Sequence, residues 1–330
     1  MGMTVQREDF ASLSEEHWQD LLAESATDTI FLTHAWQRLW WEHYGEGKAL
    51  LLLSVRAEDG RLAGIAPLVQ DGCTIQFGGG ADVSDYLDVI ARPEDTRAVW
   101  TQVLCYLQGE DWTVLDFRCI PAASPSAGVL PEVAADLGWQ ASTVGQDVCP
   151  ILELPESWDA FLARLRKKDR HELRRKLRRL EAAGPFCAAA AASDGNSEAL
   201  AKDMSDFFRL HRLSREEKAA FMTPDMEAFF RAIAAHFVPL DQQRTFFLEF
   251  QGERVAAVIC FDYGSGRYLY NSGYDHAYAH LSVGLLLKAL CIQDTIAAGK
   301  PLFDFLRGNE PYKYDLGGRD VPIFRCVVQR

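Results

Sequence analysis

Two stretches near the end of the chain combine polar, aromatic and glycine residues at spacings that could serve a ligand. The first runs Tyr268-Leu269-Tyr270-Asn271-Ser272-Gly273-Tyr274-Asp275 and continues through Tyr278-Ala279-His280-Leu281-Ser282-Val283-Gly284. A strand pattern ends near Ser272, a loop follows, and Ser282 stands at an N-cap position with Gly284 in the first helical turn. A helix start offers free N–H groups and the positive end of the helix dipole, which together attract anions. Ser272, His280, Ser282, Val283 and Gly284 are therefore candidates to hold the pyrophosphate linker of a nucleotide cofactor. An ordinary strand–loop–helix with a serine cap accounts for the same residues, because no G-x-x-x-x-G-K-S or G-x-G-x-x-G pattern is present.

The second stretch, Phe303-Asp304-Phe305-Leu306-Arg307-Gly308-Asn309-Glu310-Pro311-Tyr312-Lys313, gathers polar groups just past a buried strand. Ligands of open α/β sheets sit beyond the carboxyl ends of strands. Asp304 lies within an apolar strand and needs partners, since an unpaired buried carboxylate is costly. One reading makes Glu310 or Asp304 a base or orienting group, with Lys313 or Tyr312 stabilising developing charge. The other makes the segment structural: an ion pair of Asp304 with Arg307 or Lys313, and a tight turn at Gly308 and Pro311.

The elements that must carry these residues read as two copies of one series. In the first, Ala49–Val55 is a strand, a turn follows at Gly60, and Leu62–Val69 returns. A further alternating run ends at Phe77, Pro93 leads into a helix over Val99–Leu107, and Thr113–Phe117 is a buried strand. In the second, Thr245–Phe250 and Val255–Tyr263 flank the turn at Gly252, and Arg267–Ser272 follows. A helix over Val283–Ala298 is closed by Gly299 and Pro301, and Leu302–Leu306 is the last strand. The closing strands are alike, Leu115-Asp116-Phe117-Arg118 against Phe303-Asp304-Phe305-Leu306-Arg307. Turn glycine and aspartate are 56 residues apart in one copy (60 to 116) and 52 in the other (252 to 304). The fold expected is α/β, with mixed sheets covered by helices, in two related halves at 1–154 and 155–330. The first copy has Arg92-Pro93-Glu94 at its helix start, with no glycine, so a cofactor is expected in the second copy only.

Composition narrows the function. The chain has 330 residues, a length suited to about two domains, and no apolar stretch long enough to span a bilayer, so no stable membrane insertion is expected. A basic n-region followed by an apolar stretch is missing, and the eight cysteines form no C-x-x-C pair. Reduced, buried cysteines and a cytoplasmic location are the expectation, with no metal. The net charge of −13 argues against DNA as a partner. Ten Lys/Arg residues nevertheless crowd Arg164–Arg179, on a helix capped by Ser157 whose leucines 162, 165, 173, 177 and 180 share a face. A solvated linker helix explains this run, and so does a surface for a cofactor phosphate, an acidic acceptor or tRNA.

The run from Ser272-Gly273-Tyr274-Asp275 through Ser282-Val283-Gly284 to Asp304–Lys313 resembles the CelD/BcsL-type group of GNAT acetyltransferases. That group is related to the Fem aminoacyltransferases and is linked to polysaccharide or envelope biosynthesis. Arg166–Arg175, Leu210-His211-Arg212 and Asp85-Tyr86-Leu87-Asp88 share the resemblance. It implies two tandem GNAT-like units, with acetyl-CoA or another acyl-CoA over Ser282–Gly284. An amine or hydroxyl of a small molecule or sugar then attacks the thioester directly. Asp85, Tyr86, Asp88, His211 and Arg307 are the expected acceptor contacts, although an exposed acidic turn equally explains the first three. His280-Leu281-Ser282-Val283-Gly284 only approximates the usual Q/R-x-x-G-x-G/A loop. Charged tRNA, the donor of the Fem relatives, and a non-catalytic role therefore stand as alternatives.

Overall fold

The structure is a computed structural model and describes residues 2–191 and 196–330. In chain order its elements begin with β1 (Thr4–Glu8), α1 (Glu15–Ala23), α2 (His34–Tyr44), β2 (Ala49–Arg56), β3 (Leu62–Asp71), β4 (Thr74–Phe77) and β5 (Ile90–Ala91). There follow α3 (Thr96–Leu107), β6 (Val114–Pro121), α4 (Ser126–Asp136), β7 (Gln140–Glu153), α5 (Trp158–Arg164), α6 (Lys167–Ala183) and β8 (Phe186–Ala190). Helices α7 (Ser197–Ser214), α8 (Glu216–Phe221) and α9 (Pro224–Phe237) precede β9 (Gln243–Phe250), β10 (Glu253–Tyr263) and β11 (Gly266–Tyr274). The chain closes with α10 (Val283–Ala297), β12 (Leu302–Asp304), α11 (Pro311–Asp315) and β13 (Arg319–Gln329).

Two compact units result, one of Met1–Val148 with Val321–Arg330 and one of Cys149–Asp320. In the first, the strands run β1-β2-β3-β4-β6-β13. In the second, Ile151–Glu153 at the end of β7 pair with β12, and the order continues β11-β10-β9-β8. The repeat expected from the sequence is present in the pairing. Antiparallel β2-β3-β4 is followed by α3 and by β6 parallel to β4; antiparallel β9-β10-β11 is followed by α10 and by β12 parallel to β11. Even the aspartates correspond, Asp116 standing opposite Gln76 and Asp304 opposite Tyr268.

Three expectations need correction. The division lies at 148 rather than 154, and Val321–Arg330, expected within the second half, belong to the first unit, where a strand not foreseen in the sequence pairs with β6 through Ile323–Gln329. The basic helix is two helices. Ser157 caps the first as expected, but Leu165 and Arg166 are extended and separate α5 from α6. Arg170 closes α5 by donating to the carbonyls of Leu162 and Ala163, and Arg166 pairs with Asp169 in the first turn of α6. All eight cysteines are free, and Cys73, Cys105 and Cys187 are exposed while the other five are buried. No helix among the described residues is long and apolar enough to cross a membrane.

Within the second unit, the core joins β9, β10 and α10 through Phe246, Leu248, Val258, Leu286, Leu287 and Ile292. Helix α7 crosses β11 so closely that a Cβ on Gly273 would lie 2.4 Å from the backbone of His211. Glycine is the residue that permits this crossing. It brings Ser214, the last residue of α7, to β11, where its hydroxyl accepts from the Tyr274 N–H at 2.8 Å. Arg267, fully buried in β11, ties the sheet to α10 through Asp262 and Asp294, each at 2.6 Å.

Candidate functional site

Where β11 ends and α10 begins, the second unit holds a cavity of about 310 Å³. Five of the residues singled out in the sequence line it: Ser272, Ser282, Gly284, Glu310 and Tyr312. Lys176, Ser214, Arg215, Lys218, Tyr274, Ala279, Leu285 and Lys288 complete the lining. Four cationic side chains thus face one carboxylate in a protein whose net charge is −13.

The helix start is built as an anion site. Ser282 occupies the N-cap of α10 with φ +59°, and its side chain makes no capping hydrogen bond. Instead its hydroxyl accepts from Arg179 Nη2 at 2.9 Å, so α6 brings a guanidinium to the positive end of α10. The Nε of Arg179 is buried without a partner among the described residues. The first bond into the helix runs from Leu286 N to Ser282 O, so the preceding N–H groups of Val283, Gly284 and Leu285 have no acceptor within the helix. Gly284 lets the ring of Tyr274 lie against the helix; a Cβ there would stand 2.8 Å from Tyr274 Cδ1. Val283 is fully buried in the core, and His280 is exposed with its Nδ1 near the Ala277 carbonyl, so neither side chain lines the cavity.

The segment after β12 divides its residues between structure and cavity. Asp304 is buried and accepts from the Leu306 N–H at 2.7 Å, which fixes Leu306 at φ +57°. Lys313, 2% exposed, donates to the carbonyls of Leu306, Arg307 and Gly308 at 2.8, 2.7 and 3.0 Å and pairs with Glu310 at 2.9 Å. Its ammonium is saturated in holding this loop. The structural account of Lys313 is thus the one its contacts fit, with Glu310 rather than Asp304 as its carboxylate partner. Gly308, at φ +109°, leaves room for the Glu310 carboxylate, which would lie 2.7 Å from a Cβ. Half-buried Arg307 does not line the cavity.

Electrostatics sort the remaining groups. Burial pushes the Glu310 carboxyl up, but Lys313, and more weakly Lys218, hold it below its ordinary value. Burial, and then the Glu310 charge, push the Tyr312 phenol well above its ordinary value, so it keeps its proton at neutral pH. Burial and the charge of Arg215 lower Lys218 to about 8, and its ammonium donates to the Ser272 carbonyl. Lys288, 8% exposed, is lowered to about 7 by burial and by Lys218.

The expected acceptor contacts fall elsewhere. His211 is 1% exposed among Phe207 and Phe221, and burial and Lys218 lower it to about 3, so it is neutral. Asp85, Tyr86 and Asp88 belong to the first unit, and the exposed acidic turn is incorrect for the last two. Tyr86 is packed near Phe31, and Asp88 is 2% exposed, accepting from the Ser124 hydroxyl and the Val89 N–H. Burial raises Asp88 to about 6. The lysines on the cavity wall escape a reading of the sequence because they come from three separate helices. One signal is legible: Lys288 interrupts the apolar run Leu285-Leu286-Leu287-Lys288-Ala289-Leu290.

A strand, an uncapped helix start and a parallel strand thus surround a cationic cavity in the second unit. Residues 167–314, all within the second unit, match the model of the acetyltransferase (GNAT) domain. Solved structures of similar fold include FemX, with a TM-score of 0.65 and 10% identity over 99% of this chain and 97% of that one. L-PGS from Bacillus licheniformis gives 0.58 and 12% over 96% and 92%. A tandem GNAT protein from the clavulanic acid biosynthesis pathway gives 0.53 and 14% over 98% of both chains. The architecture is two GNAT-like units in a mixed α/β fold. No curated protein matches the sequence. Among the described residues no group of three or more His, Cys, Asp or Glu side chains could hold a metal ion.

Proposed function

We propose that the chain is an acyl-CoA-dependent acyltransferase of the cytoplasm, acting on an amine or hydroxyl of a small molecule or sugar through the second unit. The observation that carries this reading is the start of α10: N–H groups with no acceptor in the helix, an uncapped Ser282 and the buried Nε of Arg179, without a partner among the described residues, converge beside a cavity. These groups fit the pyrophosphate of CoA, with Lys176 at the same wall. Acyl-CoA supplies the activated thioester. Glu310, kept as a carboxylate, orients the acceptor and takes its proton directly or through water. A carboxylate held below its usual range is a weak base, so its larger contribution is positioning. Tyr312, kept protonated, donates to the leaving sulfur, a task that saturated Lys313 is not free to perform. The CelD/BcsL-type resemblance adds polysaccharide or envelope precursors as acceptors to screen.

The second reading is an aminoacyl-tRNA donor, favoured by the basic surface of α6 and by the likeness of fold to FemX. Titration calorimetry with CoA and acetyl-CoA, on the native chain and on Gly284→Trp, separates the two. Binding of one CoA per chain that vanishes in the variant is the expected result, because the indole fills the space beside Tyr274. If the native chain binds neither ligand, the acyl-CoA assignment fails, and salt-sensitive tRNA affinity then distinguishes the second reading from a non-catalytic role.

A further inference from the structure

Two buried lysines in the second unit are treated in opposite ways. Lys313 is 2% exposed and its ammonium meets three carbonyls and a carboxylate within 3.0 Å. Lys288 is 8% exposed, and among the described residues its ammonium meets only the Gly284 carbonyl, at 3.3 Å, and the face of the Tyr312 ring, 4.7 Å to the centroid. No carboxylate among the described residues lies within 4.0 Å of it. A buried ammonium with three N–H groups and one long hydrogen bond is costly unless something else neutralises it. Its side chain lines the cavity, so a ligand can reach it.

Lys218 repeats the pattern from α8. It is half-buried, lines the same cavity, donates to the Ser272 carbonyl and has no carboxylate partner within 4.0 Å among the described residues. The one carboxylate of the lining, Glu310, is already held by Lys313 at 2.9 Å. The start of α10, with Lys176 and Arg179, accounts for the phosphates of CoA and leaves Lys288 and Lys218 over. We propose that Lys288 and Lys218 form an anion subsite in the cavity that takes a carboxylate of the substrate, carried by the acyl group or by the acceptor. The inference rests on the acyl-transfer reading for the source of that carboxylate. It also argues against an aminoacyl donor, whose ammonium would enter a cavity with four cationic side chains.

The charge state supplies a signature. Burial, and then Lys218, lower Lys288 to about 7; Cys291 and Glu310 act upward and Arg215 downward, while the Tyr312 phenol above it stays neutral. At pH 8 Lys288 is largely unprotonated, and an anion beside it draws a proton onto it. Binding at this pH therefore takes up protons, which calorimetry in two buffers of different ionisation enthalpy measures directly.

The experiment titrates CoA, acetyl-CoA, succinyl-CoA and free succinate into the protein, and succinate into the CoA-saturated protein. If the carboxylate belongs to the acyl group, succinyl-CoA binds about tenfold or more tighter than acetyl-CoA. If it belongs to the acceptor, the two CoA esters bind alike and the CoA-saturated protein takes succinate. In both cases binding takes up protons, and Lys288→Met removes the gain and the uptake while changing CoA affinity less than about twofold. Lys218→Met, at a half-buried position, weakens the same gain and guards against misfolding of the first variant. The proposal is overturned if neither gain is seen, or if Lys288→Met weakens CoA as much as succinyl-CoA, which assigns the lysine to the phosphates. Failure of CoA itself to bind rejects the acyl-CoA reading instead. Succinate titrated into the ligand-free protein then decides the subsite: Lys288-dependent binding sustains it and no binding overturns it.

Discussion

The two units share one skeleton and differ in what meets the start of the equivalent helix. In the first, α3 begins after Pro93-Glu94-Asp95, and Asp95 pairs with Arg61 at 3.1 Å and Arg92 at 3.9 Å. The positive end of that helix is already answered by carboxylates of its own chain. In the second, α10 begins after Ser282, whose hydroxyl is turned to Arg179, and cations surround the helix start. The aspartates of the closing strands diverge likewise. Asp116, buried as well, accepts from Arg325 at 2.6 Å and Arg118 at 2.8 Å, whereas Asp304 sets the turn that leads to Glu310 and Tyr312. A repeat can therefore keep its strands and helix while its ligand site depends on which charge stands at one helix end.

The strongest way to break this contrast is to give α10 the acidic start of α3. Arg179→Glu places a carboxylate near Ser282 and the free N–H groups of Val283–Leu285. We expect CoA affinity to fall about a hundredfold, roughly 3 kcal/mol, from a lost charge-assisted contact and a new repulsion. The remaining binding should depend less steeply on salt, because one fewer cation contributes. Unchanged affinity in calorimetry would show that the helix start is not where the phosphates sit.

Part of the contrast is legible in the sequence. The hairpins, the parallel closing strands and helix α10, expected at 283–298 and found at Val283–Ala297, all follow from apolar periodicity and from Gly and Pro at their ends. Seven of the lining residues lie in the two stretches whose residue types suggest a ligand site. Lys176 and Lys218 do not stand out, since they share the cavity but not a local pattern, whereas Lys288 breaks an apolar run. A run of ten basic residues conceals the two, Lys176 and Arg179, that reach the site, and only tertiary packing selects them. The break at Leu165 is hidden for a similar reason: leucine and arginine both suit a helix, and the interruption follows from burying Leu165 while Arg170 turns back to close α5.

The aspartate pair offers a test of intermediate size, read as thermal stability rather than binding. Asp304→Ala removes a buried acceptor and leaves the Leu306 N–H short of a partner in a strained αL turn, costing about 2–3 kcal/mol. Asp116→Ala loses ion pairs whose arginines are 40% and 46% exposed, so its cost is smaller, about 1 kcal/mol. Denaturant melts of the two variants should rank them in that order. Turnover should fall with Asp304→Ala, whose turn carries Glu310 and Tyr312, and stay unchanged with Asp116→Ala. Equal loss of turnover in both would remove the distinction between the two strands.

The smallest effect is expected where the first unit is made to resemble the second. Asp95→Asn keeps the shape of the α3 start and deletes its charge. The variant loses a favourable charge–dipole contact and two partly exposed ion pairs, which together amount to about 0.5–1 kcal/mol. Arg61, 43% exposed, keeps its solvent shell, and Arg92 keeps its second partner, Glu24. Deleting one carboxylate does not supply what α10 has: an uncapped helix end beside a cavity lined by four cationic side chains. The expected calorimetric stoichiometry therefore stays at one CoA per chain. A second CoA bound by Asp95→Asn would mean that charge at the helix start alone separates the two units, and that cavity and lysines are secondary to it.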